Sequence, residues 1–147
     1  LMKDFFLDDF QLDQALAAGA DCILLIVAML ERDQLEKLYR GALDRGLSAL
    51  VEVHDEEELQ VALEMGAKVI GVNNRNLHTL KVSLDVARRL APIALESAGD
   101  ITLICESGIH NHKEMVELHS LGYKGFLVGT SLVKSGEPGK KLKELLG

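Results

Sequence analysis

The chain has 147 residues, 48% of them hydrophobic, which is enough for one domain of ordinary size. Sixteen basic residues against 23 acidic ones give a net charge of −7, and no long basic run is present. This balance argues against a general nucleic-acid-binding protein and favours a small-molecule partner. The apolar run 22–30 is far shorter than the roughly 20 residues that cross a bilayer, so we expect a cytoplasmic protein without a membrane segment. Cys22 and Cys105 lie in apolar runs, which is typical of reduced, buried thiols.

Short apolar runs and helix-like segments alternate along the whole chain. LMK opens it, and the later runs lie within LAAGADCILLIV, LDRGLSALVEV, LEMGAKVIGV, SAGDITLIC and LHSLGYKGFLVG. We expect six strands here, because each run has the length and branched content of a strand buried on both faces. Helical apolar spacing is found over residues 10–18, 31–45, 56–65, 84–97, 113–121 and 139–146.

Local signals mark several helix ends. Four glycines stand where a helix should end in a left-handed residue: Gly19, Gly46, Gly66 and Gly122. Asp55, followed three residues later by Glu58, predicts an aspartate analogue of the capping box. The acidic run at 55–58 is otherwise expected to be a solvated first helical turn.

Strictly alternating strands and helices predict parallel strands joined by right-handed crossovers. Two architectures satisfy this pattern, an open doubly wound sheet and a (β/α)8 barrel. A Rossmann-type sheet would carry G-x-G-x-x-G at a strand-to-helix turn, and the sequence has no such motif, which favours the barrel. No low-complexity linker interrupts the chain, so we expect a single domain over residues 1–147.

In both architectures ligands bind at the carboxyl ends of the strands, where this sequence places polar residues. Glu52, in LVEV, must be paired or act as a general acid with a raised pKa. Glu106 is suited to orienting a neighbouring cation or amide. Lys3 ends the first strand and is a candidate proton donor.

Amides and a guanidinium follow the fourth run, in VIGVNNRNL. Arg75 offers a fork for a carboxylate or phosphate, and Asn73 can donate and accept hydrogen bonds. We expect both side chains to lie in the same site as Glu52 and Glu106, at the carboxyl ends of the strands. Asn74 and Asn76 are instead interpreted as a polar turn in which one of them has a strained backbone.

Two glycine turns follow the last two strands and can direct backbone N–H groups at an anion. They comprise Ser107-Gly108 and Gly129-Thr130-Ser131. By contrast, HNH at 110–112 has no third ligand at metal-site spacing and is expected to be a solvated turn opening a helix. His54, His78 and His119 receive no role.

LMKDFFLDDFQ, AGADCILLIVAML, LVEVHDEEEL, IGVNNRNLHTL, ICESGI and FLVGTSL, in this order and spacing, resemble the indole-3-glycerol phosphate synthase family of tryptophan biosynthesis. The resemblance covers essentially the whole chain. It implies a (β/α)8 barrel lyase that acts on a phosphorylated substrate, 1-(2-carboxyphenylamino)-1-deoxyribulose 5-phosphate. The reaction closes a ring, releases carbon dioxide and water, and needs neither metal nor organic cofactor.

The resemblance also implies a role for each strand-end residue. Lys3 matches the family's general-acid lysine, and Glu52 matches its catalytic glutamate. Asn73 and Arg75 match residues that hold the substrate's hydroxyl and carboxylate groups. Glu106 and Ser107 match the seventh-strand site, with the phosphate surrounded by Ser107, Gly108, Gly129 and Thr130.

The chain also departs from the family pattern, because its six βα units correspond to strands 3 to 8 and the first two units have no match. The family's first-strand lysine and glutamate are missing with them, so we expect an incomplete site and strongly reduced activity. Six strands cannot close a barrel, and we expect self-association through the two open edges or pairing with a missing segment. Two alternatives are another phosphate-binding barrel isomerase and an inactive fragment that serves folding or assembly.

Overall fold

The computed structural model describes residues 1–97 and 99–147. Within these described residues, five strands alternate with helices. They are α1 (Phe10–Ala17), β1 (Cys22–Ile26), a 3₁₀ turn (Val27–Met29), α2 (Arg32–Asp44), β2 (Ser48–Val53), α3 (Glu56–Glu64), β3 (Val69–Asn73), α4 (Asp85–Ser97), β4 (Thr102–Glu106), α5 (His112–Ser120), β5 (Tyr123–Leu127), α6 (Thr130–Lys134) and α7 (Pro138–Leu146).

The strands form one sheet in chain order, β1-β2-β3-β4-β5. β1 and β2 pair in parallel from Cys22 opposite Ser48 to Ile26 opposite Glu52. β4 and β5 also pair in parallel, with a register shift after Leu103. The predicted parallel α/β architecture is therefore confirmed.

The predicted strand at residues 1–3 is wrong in extent. It is reduced to a single parallel bridge, in which the Met2 N–H donates to the Cys22 carbonyl at 2.8 Å. The chain bends at Asp4, whose carboxylate accepts from the Phe5 N–H at 2.8 Å. Such local side-chain-to-backbone bonds favour a turn over an extended strand.

Sequence periodicity also missed two short elements, the 3₁₀ turn at 27–29 and α6. Both have five residues or fewer, too few to display a helical repeat. The four predicted left-handed glycines are confirmed, with φ from 76° to 105° at Gly19, Gly46, Gly66 and Gly122. No helix in the described part of the chain is long and apolar enough to cross a membrane.

The chain divides into two compact units, Leu1–Gly71 and Val72–Gly147. In the first unit, Leu12, Ile23, Leu35 and Leu59 are completely buried between its helices and strands. On its surface, Arg45 of the α2 C-terminus binds the acidic residues of α1, with Nε 2.7 Å from Asp13 Oδ1 and Nη2 2.9 Å from Asp9 Oδ2.

In the second unit, Leu90, Leu103, Leu118 and Tyr123 are completely buried. The Tyr123 hydroxyl donates to the Ala87 carbonyl of α4 at 2.9 Å. Burial raises the pKa of Tyr123 far above its usual value, so this hydroxyl remains a donor at any physiological pH. The hydrogen bond fixes β5 to α4 within the unit.

Replacing Tyr123 with phenylalanine removes this buried hydrogen bond without emptying the core. We expect Tyr123→Phe to lower the free energy of unfolding by about 1–2 kcal/mol, the usual loss for a buried, well-formed bond. Tyr39→Phe is the matched control, because the Tyr39 hydroxyl bond to the Gly66 carbonyl is longer, at 3.3 Å, and its loss should cost under about 0.5 kcal/mol. Urea unfolding measures both, and equal losses would contradict this ranking.

Candidate active site

The first unit contains one buried carboxylate at the end of a strand. Glu52 is the fifth residue of β2 and is 2% exposed. Lys3 Nζ donates to Glu52 Oε2 at 3.1 Å, and His54 Nε2 lies 3.2 Å from Oε1. The latter is an ion-pair contact outside good hydrogen-bond geometry. Of the two states expected for Glu52, paired or protonated, the structure contains the paired one.

His54 is in turn held by the first turn of α3. The backbone N–H and ring Nδ1 of His54 both donate to Glu58 Oε2, at 2.8 and 3.0 Å. Asp55 caps the helix as predicted, since its carboxylate accepts from the Glu58 N–H at 2.9 Å. The capping box is nevertheless only half formed, because the Glu58 carboxylate binds His54 instead of the cap backbone. The expectation of a solvated turn is right for Glu56 and Glu57, which are exposed, and wrong for Glu58.

This arrangement fixes the charge of His54. Burial of the ring by itself lowers the pKa of His54, but the adjacent carboxylates of Glu52 and Glu58 outweigh burial and raise it from 6.5 to about 9. The ring is therefore an imidazolium at neutral pH. A lysine, a histidine and two glutamates thus form a charge-alternating chain from Lys3 through Glu52 and His54 to Glu58.

In the second unit, β3 ends at Asn73, which is 9% exposed. Its side-chain carbonyl accepts from the Arg75 N–H at 3.0 Å, which fixes the turn that carries the guanidinium. Arg75 is half-buried and pairs with Val82 through an antiparallel bridge, and its Nη1 lies 3.4 Å from the Leu80 carbonyl. Asn73 and Arg75 therefore belong to one hydrogen-bonded turn.

Asn74 is buried, 1% exposed, and fastens this turn to the neighbouring loop. Its amide donates to the backbone carbonyls of Glu106 and Ser107 at 2.9 and 3.2 Å and to Cys105 Sγ at 3.2 Å. Its side-chain carbonyl accepts from the Ala87 N–H at 3.0 Å. Burial raises the pKa of the Cys105 thiol to about 12, so it remains a neutral partner.

The expected strained backbone at Asn74 or Asn76 is wrong. The non-glycine residues with positive φ are Leu80 (58°) and Ser107 (63°) within the described ranges. Asn76 does form a polar turn, with its side-chain carbonyl accepting from the N–H groups of His78 and Thr79 at 3.0 and 2.8 Å. The side chain of Asn76 satisfies the turn, and the left-handed residue falls later, at Leu80.

Glu106 is the last residue of β4 and is 2% exposed. Ser107 and Gly108 follow in consecutive left-handed conformations, with φ of 63° and 83°. A Cβ on Gly108 would lie 2.7 Å from Val82 Cγ1, so only glycine lets the loop after β3 pack this closely on the loop after β4.

The second glycine turn starts α6, with Gly129 as N-cap and Thr130 as first helical residue. Ser131 Oγ donates to the Ile109 carbonyl at 2.9 Å, which joins this turn to the loop that carries Ser107 and Gly108. The structure thus brings the two predicted anion-binding turns of the second unit together.

The HNH segment opens α5 as expected. Asn111 and Glu114 form a complete capping box there. Across residues 1–97 and 99–147, no three His, Cys, Asp or Glu side chains are grouped as a metal site would need.

Sequence reasoning missed three residues of this arrangement, namely His54, Glu58 and Asn74. The placement of His54 just before the Asp55 cap and of Glu58 three residues after it was a usable signal, since a glutamate at the third helical position can reach back to the residues before the helix. Asn74 had no comparable signal, because its side-chain partners are distant in the chain.

Solved structures identify the fold class. The chain superimposes on the tryptophan synthase α2β2 complex structure from Pyrococcus furiosus with a TM-score of 0.73, at 21% identity over 99% of this chain and 65% of that chain. It matches 3-hexulose-6-phosphate synthase from Salmonella typhimurium with a TM-score of 0.72, at 16% identity over 95% of this chain and 67% of that chain. These neighbours are (β/α)8 barrels, and the chain has the fold of part of such a barrel.

Within that class, residues 1–145 match the family model of indole-3-glycerol phosphate synthase. The chain belongs to this family. It is 47% identical to the indole-3-glycerol phosphate synthase of Bacillus cereus strain ATCC 10987 over 135 residues. It is 46% identical over the same length to that of Bacillus mycoides strain KBAB4. Each match covers 92% of this chain and 53% of the relative, so the chain spans about half the length of these relatives.

The raised pKa of His54 makes stability depend on pH. The folded state holds the proton up to about pH 9 and the unfolded state only up to about 6.5, so His54 stabilises the fold fully below pH 6.5 and loses this effect as pH rises to about 9. We expect the stability difference between wild type and His54→Gln to shrink by about 1–2 kcal/mol from pH 6 to 9, after allowance for solvent screening.

Urea unfolding at several pH values measures this difference. His110→Gln, at an exposed turn residue, is the control and should follow the wild-type curve. Parallel curves for wild type and His54→Gln would show that His54 carries no linked proton.

Proposed function

We propose that this chain carries the catalytic strand ends of an indole-3-glycerol phosphate synthase, a carbon–carbon lyase of tryptophan biosynthesis. One contact carries the proposal, the 3.1 Å hydrogen bond between Lys3 Nζ and Glu52 Oε2. These are the two residues to which the family pattern gives proton-transfer roles, and the match to the family model includes both. A proton donor and a proton acceptor in direct contact are suited to the ring closure and dehydration.

The proposed reaction joins the ring carbon that bears the carboxylate to the ketone carbon of the ribulose chain. Lys3 donates a hydrogen bond or proton to the ketone oxygen as the new carbon–carbon bond forms. Carbon dioxide then leaves, and its bonding electrons return to the ring. The hydroxyl then leaves as water with a proton from Lys3, which solvent has reprotonated, while Glu52 accepts the proton lost from the adjacent carbon as the ring double bond forms.

Arg75 is proposed to bind the anthranilate carboxylate, and Asn73 a substrate hydroxyl. The hydrogen-bonded turn that joins them supports this, because it places both side chains directly after β3, and a guanidinium can bind a carboxylate through two parallel hydrogen bonds. Glu106, buried at the end of β4, is proposed to orient the substrate amine or hydroxyl groups.

The phosphate is proposed to bind at the paired glycine turns, through Ser107, Gly108, Gly129 and Thr130. The Ser131–Ile109 hydrogen bond supports this assignment, since it holds the two turns together. Backbone N–H groups of such turns are effective hydrogen-bond donors to a bound anion in barrels of this type. No metal or organic cofactor enters the proposed reaction.

Glu52→Gln tests the proposed function in the complete encoded reading frame. We expect kcat for indole-3-glycerol phosphate formation to fall by at least about 100-fold, because an amide cannot accept the proton. Glu57→Gln, which neutralises an exposed carboxylate in α3, is the control and should keep wild-type turnover. The wild type would instead be a barrel isomerase if it converts a phosphorylated aldose to a ketose and does not turn over the anthranilate-derived substrate.

Unfolding of Glu52→Gln by urea separates chemistry from structure. A loss of stability as large as the loss of activity would mean that Glu52 mainly holds the fold. If wild type turns over no substrate, the inactive folding or assembly role is favoured.

We further propose that this chain by itself self-associates. β1 and β5 are the first and last strands in the sheet order, and Met2 supplies only one bridge to β1 within the described residues. Phe5 and Phe10, near that bridge in sequence, are 58% and 64% exposed. Edge strands with exposed apolar neighbours pair readily with other chains. Light scattering should give masses above 16.1 kDa that rise with concentration, and a monodisperse monomer would contradict this.

A further inference from the structure

His54 connects two carboxylates that have different surroundings. Its Nε2 faces Glu52 Oε1 at 3.2 Å, and its Nδ1 donates to Glu58 Oε2 at 3.0 Å. Glu52 is 2% exposed, whereas Glu58 is 18% exposed and belongs to the first turn of α3. The imidazole is 11% exposed, so it is packed rather than solvated. None of the roles implied by the family pattern includes His54 or Glu58.

Two features show that the ring orientation is fixed. Glu58 Oε2 accepts from both the backbone and the ring of His54, which closes a small hydrogen-bonded ring around the side chain. Glu58 itself is held by the Asp55 cap, at 2.9 Å from its N–H. A helix N-terminus thus holds a glutamate, the glutamate holds the histidine, and the histidine faces the buried carboxylate.

We propose that His54 is a positioning residue for Glu52, itself held in place by Glu58, and that it leaves proton transfer to Glu52 Oε2. This inference rests on the proposed function, in which Glu52 moves a proton. The His54 ring faces Oε1 at 3.2 Å and thereby restricts the rotation of the carboxylate. Oε2, on the side of Lys3, is then the oxygen that receives the proton.

The charged groups that face His54 and Glu52 within this unit are Lys3 from the N-terminal segment, Glu52 from β2, and Glu58 from α3. Removing the charge of Glu58 therefore weakens proton binding by His54 while Lys3 and Glu52 remain. A structural role of Glu58 in starting α3 would not change the protonation of the active-site groups. The two roles can be separated by experiment.

The test uses Glu58→Gln in the complete encoded protein, because glutamine retains an acceptor for the His54 N–H and leaves the Asp55 cap intact. We expect kcat to fall about 10-fold with KM changed less than twofold, since ground-state binding does not involve this pair. The alkaline limb of the kcat profile should move to lower pH by about one unit. Glu57→Gln removes a charge from the same helical turn and should change neither value.

A second measurement does not depend on turnover. Long-range nitrogen-15 NMR of histidine side chains reports the charge of the His54 ring directly. We expect a charged ring at pH 7.5 in wild type and in Glu57→Gln, and a lower titration midpoint in Glu58→Gln. The double variant His54→Gln/Glu58→Gln should be no slower than His54→Gln alone, because Glu58 acts through His54.

The outcomes separate the inference from the proposed function. Wild-type turnover with equal kcat in Glu58→Gln and Glu57→Gln would overturn the positioning role and leave the function standing. A neutral His54 ring at pH 7.5 would do the same. Absence of wild-type turnover would overturn both, because there is then no reaction for Glu52 to serve.

Discussion

The negative charge of Glu52, buried in a strand of a parallel sheet, governs the structure of the first unit. An ionised carboxylate withdrawn from water without partners would cost several kcal/mol. Here Lys3 faces one oxygen and His54 the other, and Glu52 and Glu58 together raise the pKa of His54 so that its ring is charged. The local backbone follows from this arrangement. The Glu58 carboxylate binds the backbone and ring of His54 instead of the Asp55 backbone, and the Asp55 side chain caps α3.

In the second unit, buried polar groups are satisfied by a neutral side chain, that of Asn74, whereas in the first unit they are satisfied by charged side chains. Asn74 satisfies two backbone carbonyls of the loop after β4 and one N–H of α4, all of them distant in sequence. Backbone groups in a buried loop need such partners, since water cannot reach them. With its carbonyl held in this way, Ser107 can keep a left-handed conformation that costs free energy for a non-glycine residue. The shape of the proposed phosphate-binding loop therefore depends on an amide that has no proposed contact with substrate.

The fold could be predicted from sequence because the signals are local and repeated. Each repeat of a helical segment, a glycine and an apolar run predicts one helix followed by one strand. The alternation of such repeats is compatible with only a few chain topologies. The strand ends followed directly, which is why Lys3, Glu52, Asn73 and Glu106 could be selected. The partners of these residues were harder to predict. His54 looked like one of several unassigned histidines, because its charge is set by Glu52 and Glu58 through packing that sequence spacing only suggests.

The failed predictions have a common physical cause. After the single bridge at Met2 the chain bends, with the Asp4 carboxylate accepting from the Phe5 N–H, and the left-handed conformation expected at Asn74 or Asn76 occurs at Leu80 and Ser107. In each case a polar side chain forms a hydrogen bond with one of several nearby backbone donors or acceptors where the chain turns. The sequence shows that such a side chain is present. It does not show which backbone group the side chain will bond to, because that depends on the three-dimensional path of the loop.

The two cationic partners of Glu52 differ in a way that suits a catalytic site. His54 is 11% exposed and doubly held by Glu58, whereas the Lys3 side chain is 48% exposed at the end of a segment with a single strand bridge. Moving Lys3 from Glu52 to a substrate oxygen therefore requires little desolvation or repacking. Moving His54 would break its bonds to Glu58 and expose a buried charge pair. In the proposed reaction, His54 is thus the fixed cation that positions the Glu52 carboxylate, and Lys3 is the exchangeable one that follows the charge developing on the substrate.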